Sequence, residues 1–248
     1  MGELYTLIVV VVLAYTIKGL TGFGPALLIV PIFSLLKGTP FALTTSAIFD
    51  ALAGIMLLFV VYKDISWKFC LPLMMTMGIG SFIGANLVLN IPLSTVEMIM
   101  GVFILISGIY LWKQDPLAKE NTVERESGFY DPTFVGGLFA GLAGGITGGL
   151  IGMSGPILVI YLKYFYSKDF FRSQLIAVFL VENIVRIFIY AKGGLFVQGQ
   201  GMLLAYLLPA LLIGLWIGNT LHIHINNKIF NKVVGAVLIS MSFKITLF

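Results

Sequence analysis

GLTGFGPALLIVP (residues 19–31) interrupts an apolar run that extends over residues 4–36, and GLIGMSGPILVIY (residues 149–161) interrupts a second run over residues 133–166. The first run is 33 residues long. As one continuous helix it would measure about 50 Å at 1.5 Å per residue, against a bilayer hydrocarbon core of about 30 Å. The glycines and prolines cluster in its middle, at residues 19–25, where they weaken a helix most. The counterpart cluster in the second run spans residues 144–156. The simplest fit to each run is a V: a half-helix in, a glycine-rich tip, and a half-helix back out. The alternative is a single tilted, kinked span.

Composition supports a membrane setting. Of 248 residues, 59% are hydrophobic and 10% charged, against roughly 25% charged in an average soluble domain. Mean hydropathy is +1.03, and apolar runs long enough to cross a bilayer recur along the chain. The N-terminal MGELYTLIVVVVLAY lacks a basic n-region and a cleavage site, so it reads as part of the mature protein. The single cysteine, Cys70, excludes an intramolecular disulfide and any cysteine cluster. No phosphate-binding loop is present, so no coupling to ATP is visible. His222 and His224 are spaced i,i+2 and do not share a helix face, which argues against a metal site. Neither a metal nor another cofactor is expected.

Between the broken runs the chain reads as three further apolar blocks per half: residues 41–62, 69–90 and 93–112, then 172–191, 201–221 and 233–247. The fold class is therefore an all-α polytopic membrane protein of two repeats, 1–112 and 133–248, joined by a hydrophilic cytoplasmic linker at 113–132. The halves look duplicated. At an offset of 134, Ile79, Gly80, Ile83, Gly84, Leu87, Ile91 and Gly101 match Ile213, Gly214, Ile217, Gly218, Leu221, Ile225 and Gly235. At an offset of 130, Gly19, Leu20 and Gly22 match Gly149, Leu150 and Gly152. Such repeats are a common transporter architecture.

Charge placement separates the V from the simple span. With the V, Lys63, Lys68, Lys113, Lys119, Arg125, Lys163, Lys168, Arg172, Lys228 and Lys232 share one side, and only Lys37, Lys192 and Lys244 fall on the other. With a simple span the same residues divide almost evenly. Basic residues collect in cytoplasmic loops, so the V is preferred. Three spans plus a V make an odd number of crossings, which inverts the second half and puts both termini outside the cytoplasm. Two complete short spans in place of the V keep that parity, so the depth of the tip stays open.

Irregular backbone at membrane depth survives only where protein buries it or a water-filled cavity lines it. Two such breaks at matching positions point to a central binding site. Helices restarting at Pro25 and Pro156 would present N–H groups and a partial positive charge, which suits a small anion. The expected binding set is Lys18, Thr21, Gly22, Phe23, Gly24 and Pro25 with Gly152, Met153, Ser154, Gly155 and Pro156. Close helix packing is the competing role for the glycines; it is preferred for scattered ones such as Gly80 and Gly214.

Four ionisable residues lie inside apolar blocks: Lys18, Asp50, Glu182 and Arg186. Buried charges of this kind are costly and usually functional. Lys18 lies 15 residues beyond Glu3, about 22 Å along the first half-helix. It is either a cation for the anion or a cap for its own helix. Asp50 and Glu182 occupy corresponding blocks, and either could carry a coupling proton or be a structural partner, Asp50 for Lys18 and Glu182 for Arg186. Glu182 and Arg186 are spaced i,i+4 and share a helix face, although Arg186 is also near enough to its segment end to snorkel. Asn86 and Asn183 are weaker polar candidates.

Taken together, the paired patterns at residues 19–31 and 149–161 resemble the signature of the sulfite exporter TauE/SafE family, as does the layout of two apolar halves around a polar loop. The resemblance implies a multi-pass permease of the bacterial inner membrane that exports sulfite or an organosulfonate. Pro25 interrupts the first glycine run, Ser154 the second, and Tyr161 stands opposite Pro31; these departures bear on the substrate rather than the fold. The expected function is a secondary transporter, not an enzyme, with a passive anion channel as the alternative. Its expected partners are the lipid bilayer and a small anion, with proton coupling and a homodimer as options. Nucleic acid is not expected.

Overall fold

The computed structural model describes residues 2–113, 132–165 and 168–221. Residues 114–131 of the expected linker, the apolar block at 233–247, and His222 and His224 lie outside the described residues. The described chain is all helical: α1 (Gly2–Thr21), α2 (Ala26–Lys37), α3 (Thr39–Val61), α4 (Trp67–Asn90), α5 (Leu93–Lys113), α6 (Pro132–Ile151), α7 (Gly155–Phe165), α8 (Lys168–Lys192) and α9 (Gln200–Leu221), with a short 3-10 turn after α3. Six of these helices, α1, α3, α4, α5, α8 and α9, are long and apolar enough to cross a membrane.

The helix interruptions are narrower than the glycine content suggests. α1 ends at Thr21 and α2 begins at Ala26; α6 ends at Ile151 and α7 begins at Gly155. Gly19, Gly144, Gly145, Gly148 and Gly149 are therefore helical, although their residue type weakens a helix. α1 has 20 residues, about 30 Å, so it is long enough to span the hydrocarbon core rather than half of it.

The physical reason for helical glycine is close packing. A methyl on Gly80 would overlap the Leu142 carbonyl, and one on Gly84 would overlap that of Ile146, so α4 and α6 cross backbone to backbone. A methyl on Gly214 would likewise meet the Val12 carbonyl, and one on Gly218 that of Thr16, where α9 crosses α1. The correspondence extends to both partners. Gly80 and Gly84 differ from Gly214 and Gly218 by 134, and Leu142 and Ile146 differ from Val12 and Thr16 by 130. Gly149 faces Gly84 and Ala85 as Gly19 faces Gly218 and Asn219.

α3 and α8 pack on each other between these two crossings. Their buried polar side chains tie each of them to the start of the helix that follows the other. Gln174 of α8 accepts from the Ser66 N–H (3.0 Å) at the start of α4, and Thr44 of α3 meets Gln200 (2.8 Å) at the start of α9. The outward faces of α4 and α9 carry large apolar side chains such as Met75, Phe82, Tyr206 and Trp216, as lipid contact demands.

Candidate functional site

Each of the two interruptions begins with a glycine that lets its helix end. Gly22 (φ 83°) and Gly152 (φ 77°) take left-handed backbone, the conformation in which glycine ends helices. Their N–H groups donate to Lys18 O (2.7 Å) and Gly148 O (2.9 Å). Thr21 then stitches the first turn locally. Its Oγ1 accepts from the Phe23 N–H (3.3 Å) and lies 2.8 Å from the Ile17 and Phe23 carbonyls, so it is engaged in the turn rather than offered to a ligand. At the start of α2, Leu27 N–H donates to Gly24 O (3.1 Å) and Leu28 N–H to Pro25 O (3.0 Å). The α2 terminus thus presents fewer free N–H groups than the sequence suggests.

The two interruptions meet. The Phe23 ring lies against Gly155 with space for no more than a methyl between them. Beside this contact is a cavity of about 20 Å³, lined by residues 23–27 and 152–156 together with Lys18, Asp50, Phe179 and Asn183. That is room for roughly one water molecule. Of the expected set, Lys18, Phe23, Gly24, Pro25, Gly152, Met153, Ser154, Gly155, Pro156, Asp50 and Asn183 border the cavity. Thr21, Gly22, Glu182 and Arg186 do not. Asn86 lies apart on an exposed face, donating to Phe82 O (2.8 Å).

All four intramembrane charges are buried and paired. Lys18 Nζ lies 2.9 Å from Asp50 Oδ1 and donates to the Asp50 carbonyl at 3.0 Å. It therefore serves α3 rather than capping its own helix. Tyr15 donates to the same Asp50 oxygen (3.3 Å). Arg186 NH1 lies 3.6 Å from Glu182 Oε1, and its side chain is 1% exposed, so it does not snorkel. Its guanidinium donates instead to Asn183 Oδ1 (3.0 Å), Leu43 O (3.2 Å) and Ser46 Oγ (3.1 Å). Ser154 donates to Glu182 Oε2 (3.3 Å), connecting the second interruption to α8.

Gly148 makes room for that carboxylate: a methyl there would overlap Glu182 Oε1. By the offset of 130, Gly148 corresponds to Lys18. By the offset of 132 that relates Asp50 to Glu182, Arg186 corresponds to Gly54. The cation thus comes from α1 in one half and from α8 in the other, and a glycine stands at each vacated position.

Sequence reading missed several of these participants. Tyr15 and Tyr190 are buried, the latter donating to Gly149 O (2.6 Å). Their i,i+3 and i,i+4 spacings from Lys18 and Arg186 were the available signal. Arg172, counted among the loop cations, is buried instead and donates to Gly19 O (2.7 Å) and Asn219 Oδ1 (3.0 Å).

The chain matches the family model described as sulfite exporter TauE/SafE over residues 7–245. No curated protein and no solved structure matches it.

Proposed function

Because the chain belongs to the sulfite exporter TauE/SafE family, we propose that it is a secondary transporter that moves a small anion, sulfite or an organosulfonate, between the two glycine-bounded helix interruptions. The observation that carries this reading is the meeting of those interruptions, residues 22–25 and 152–154, at one cavity that also holds a buried cation, Lys18. Left-handed glycines let backbone approach a ligand closely. Lys18, Ser154 and the first turns of α2 and α7 supply charge and donors for oxyanion oxygens. A cavity of about 20 Å³ is too small for an anion with three or more oxygens, so the interruptions must part to admit it. A gate of that kind suits alternating access better than an open pore.

The proposal includes inverted repeats at 1–112 and 133–248, set in a bacterial inner membrane with both termini outside the cytoplasm. The matched glycine crossings, α4 on α6 and α9 on α1, support the duplication. A reporter at the N-terminus that is active only in the cytoplasm would contradict the orientation.

The deciding experiment is flux into proteoliposomes across a panel of sulfite, sulfoacetate, thiosulfate, sulfate and simple carboxylates. Saturable exchange of sulfite or sulfoacetate is expected. Conductance proportional to the gradient, without saturation or exchange, is the behaviour of a channel and would overturn the reading. Absence of any flux would overturn it as well.

A further inference from the structure

The two buried acids beside the cavity are held very differently. Asp50 Oδ1 receives Lys18 at 2.9 Å and Tyr15 at 3.3 Å. Glu182 is fully buried, its Oε1 has no hydrogen-bond partner, and its nearest cation, Arg186 NH1, stands 3.6 Å away. Arg186 spends its terminal nitrogens on Asn183, Leu43 and Ser46. The other Glu182 oxygen holds one long hydrogen bond, from Ser154 at 3.3 Å. Ser154 borders the cavity, and its hydroxyl has a single proton to donate.

We propose that this one proton couples anion binding to protonation of Glu182, so that each anion crosses with one proton. The inference rests on the transport reading above. With Glu182 ionised, the Ser154 hydroxyl points at Oε2 and is withheld from the cavity. When Glu182 takes a proton on Oε2, its new O–H donates to Ser154 Oγ. The Ser154 proton then turns toward the cavity and donates to an anion oxygen. Such a chain of hydrogen bonds reinforces itself. Only one O–H bond forms or breaks: the proton enters from water on one side and leaves to water on the other.

Charge balance points the same way. The ionisable groups whose charges act on Glu182 are Arg186 on its own helix, Lys18 from α1 and Asp50 from α3; Ser154 donates to its carboxylate, and Ser81 only to its main-chain carbonyl. Tyr15 lies against Asp50 and Tyr190 beneath Arg186. Arg172 lies ten residues earlier on α8, about 15 Å away. With both pairs ionised, Lys18 cancels Asp50 and Arg186 cancels Glu182. An anion entering that neutral cluster would be an uncompensated buried charge. Protonating Glu182 leaves Arg186 in surplus, and a monovalent anion restores neutrality.

The test uses the whole protein in proteoliposomes with radiolabelled sulfite. Exchange, and accumulation driven by an imposed proton gradient, are measured for wild type, Glu182→Gln and Ser154→Ala, with melting temperature as the folding check. The proton carried by bisulfite itself is common to all three proteins, so differences between them report on the chain. Wild type should accumulate sulfite under the gradient, with exchange affinity that improves as pH falls. Glu182→Gln has an amide that can still donate to Ser154 and no proton to release. It should exchange sulfite at every pH and lose gradient-driven accumulation. Ser154→Ala should weaken half-saturation about tenfold, the cost of a hydrogen bond to a charge, and flatten the pH dependence without abolishing it, because the Arg186 charge still favours anion binding beside a protonated Glu182. Gradient-driven accumulation by Glu182→Gln equal to wild type overturns the coupling, as does loss of exchange in a folded Glu182→Gln. Wild-type exchange without proton-driven accumulation overturns the coupling while leaving the transport reading intact. Absence of wild-type exchange takes both down.

Discussion

Lys18 and Asp50 meet at 2.9 Å with side chains 4% and 6% exposed, bridging the end of α1 to the middle of α3. Removing either partner leaves the other charge buried and alone, which costs about 3–5 kcal/mol, whereas replacing both with apolar residues of similar size is often near neutral. Lys18→Met and Asp50→Asn should each lower the melting temperature strongly in detergent, and Lys18→Met/Asp50→Leu should lower it less than either. If Lys18 also draws the anion, the folded double variant should show a raised half-saturation for sulfite. An unchanged half-saturation would reduce Lys18 to a structural role.

The glycine crossings make a second, sharper prediction. Gly84→Ala and Gly218→Ala each set a methyl against a backbone carbonyl, of Ile146 and Thr16 respectively, and a backbone carbonyl cannot swing aside as a side chain can. Both variants should lose folded yield on size exclusion, and to a similar degree because the two crossings match. Gly201 is the control: nothing lies within 4 Å of a methyl built there. Gly201→Ala should be neutral or stabilising by up to about 1 kcal/mol, the usual gain from Gly to Ala in a helix.

How far the sequence anticipates this arrangement depends on which force each feature obeys. Hydropathy locates the helices within a few residues, residue 69 against Trp67 for α4 and 201 against Gln200 for α9, because bilayer burial alone sets those limits. Glycine content alone marks the interruptions too wide, since glycine weakens an isolated helix whatever its neighbours. Gly19 and Gly145 stay helical because an opposing helix fills the space at their surface, and nothing local in the sequence marks which glycine has such a partner. Charges inside the bilayer are rare enough that Lys18–Asp50 and Glu182–Arg186 could be paired in advance. Gln174 and Gln200 could not, because a glutamine near a segment end reads equally well as solvated. Both are buried, each holding a helix start through its amide.

Cys70 reports on that glutamine. Its thiol is buried, 3.0 Å from Gln174 Oε1, so a maleimide should leave the folded protein unlabelled and react once detergent denaturation exposes it. Gln174→Ala strips an acceptor from the Ser66 N–H and a donor from the Asp64 carbonyl. Leaving such groups unpaired costs about 1–3 kcal/mol. The variant should therefore label at a lower temperature than wild type. Rapid labelling of native wild type would contradict the packing of α4 on α8.

Arg172 makes the last prediction, and it separates charge from geometry. One nitrogen of its guanidinium reaches both Gly19 O at 2.7 Å and Asn219 Oδ1 at 3.0 Å, so α8 holds α1 and α9 together next to the first interruption. A methyl at Gly22 would come within 3.1 Å of the Arg172 side chain, so the turn and the arginine are packed as one unit. Lysine preserves the charge but not the planar fork of donors. Arg172→Lys should lose about 1.5–3 kcal/mol, the value of a hydrogen bond from a charged donor, and should slow sulfite exchange by loosening the turn that carries Phe23. If Arg172 were only a cytoplasmic loop cation, Arg172→Lys would match wild type in both melting and exchange. A variant that melts early yet exchanges at the wild-type rate would show that the clamp stabilises α1 without positioning the site.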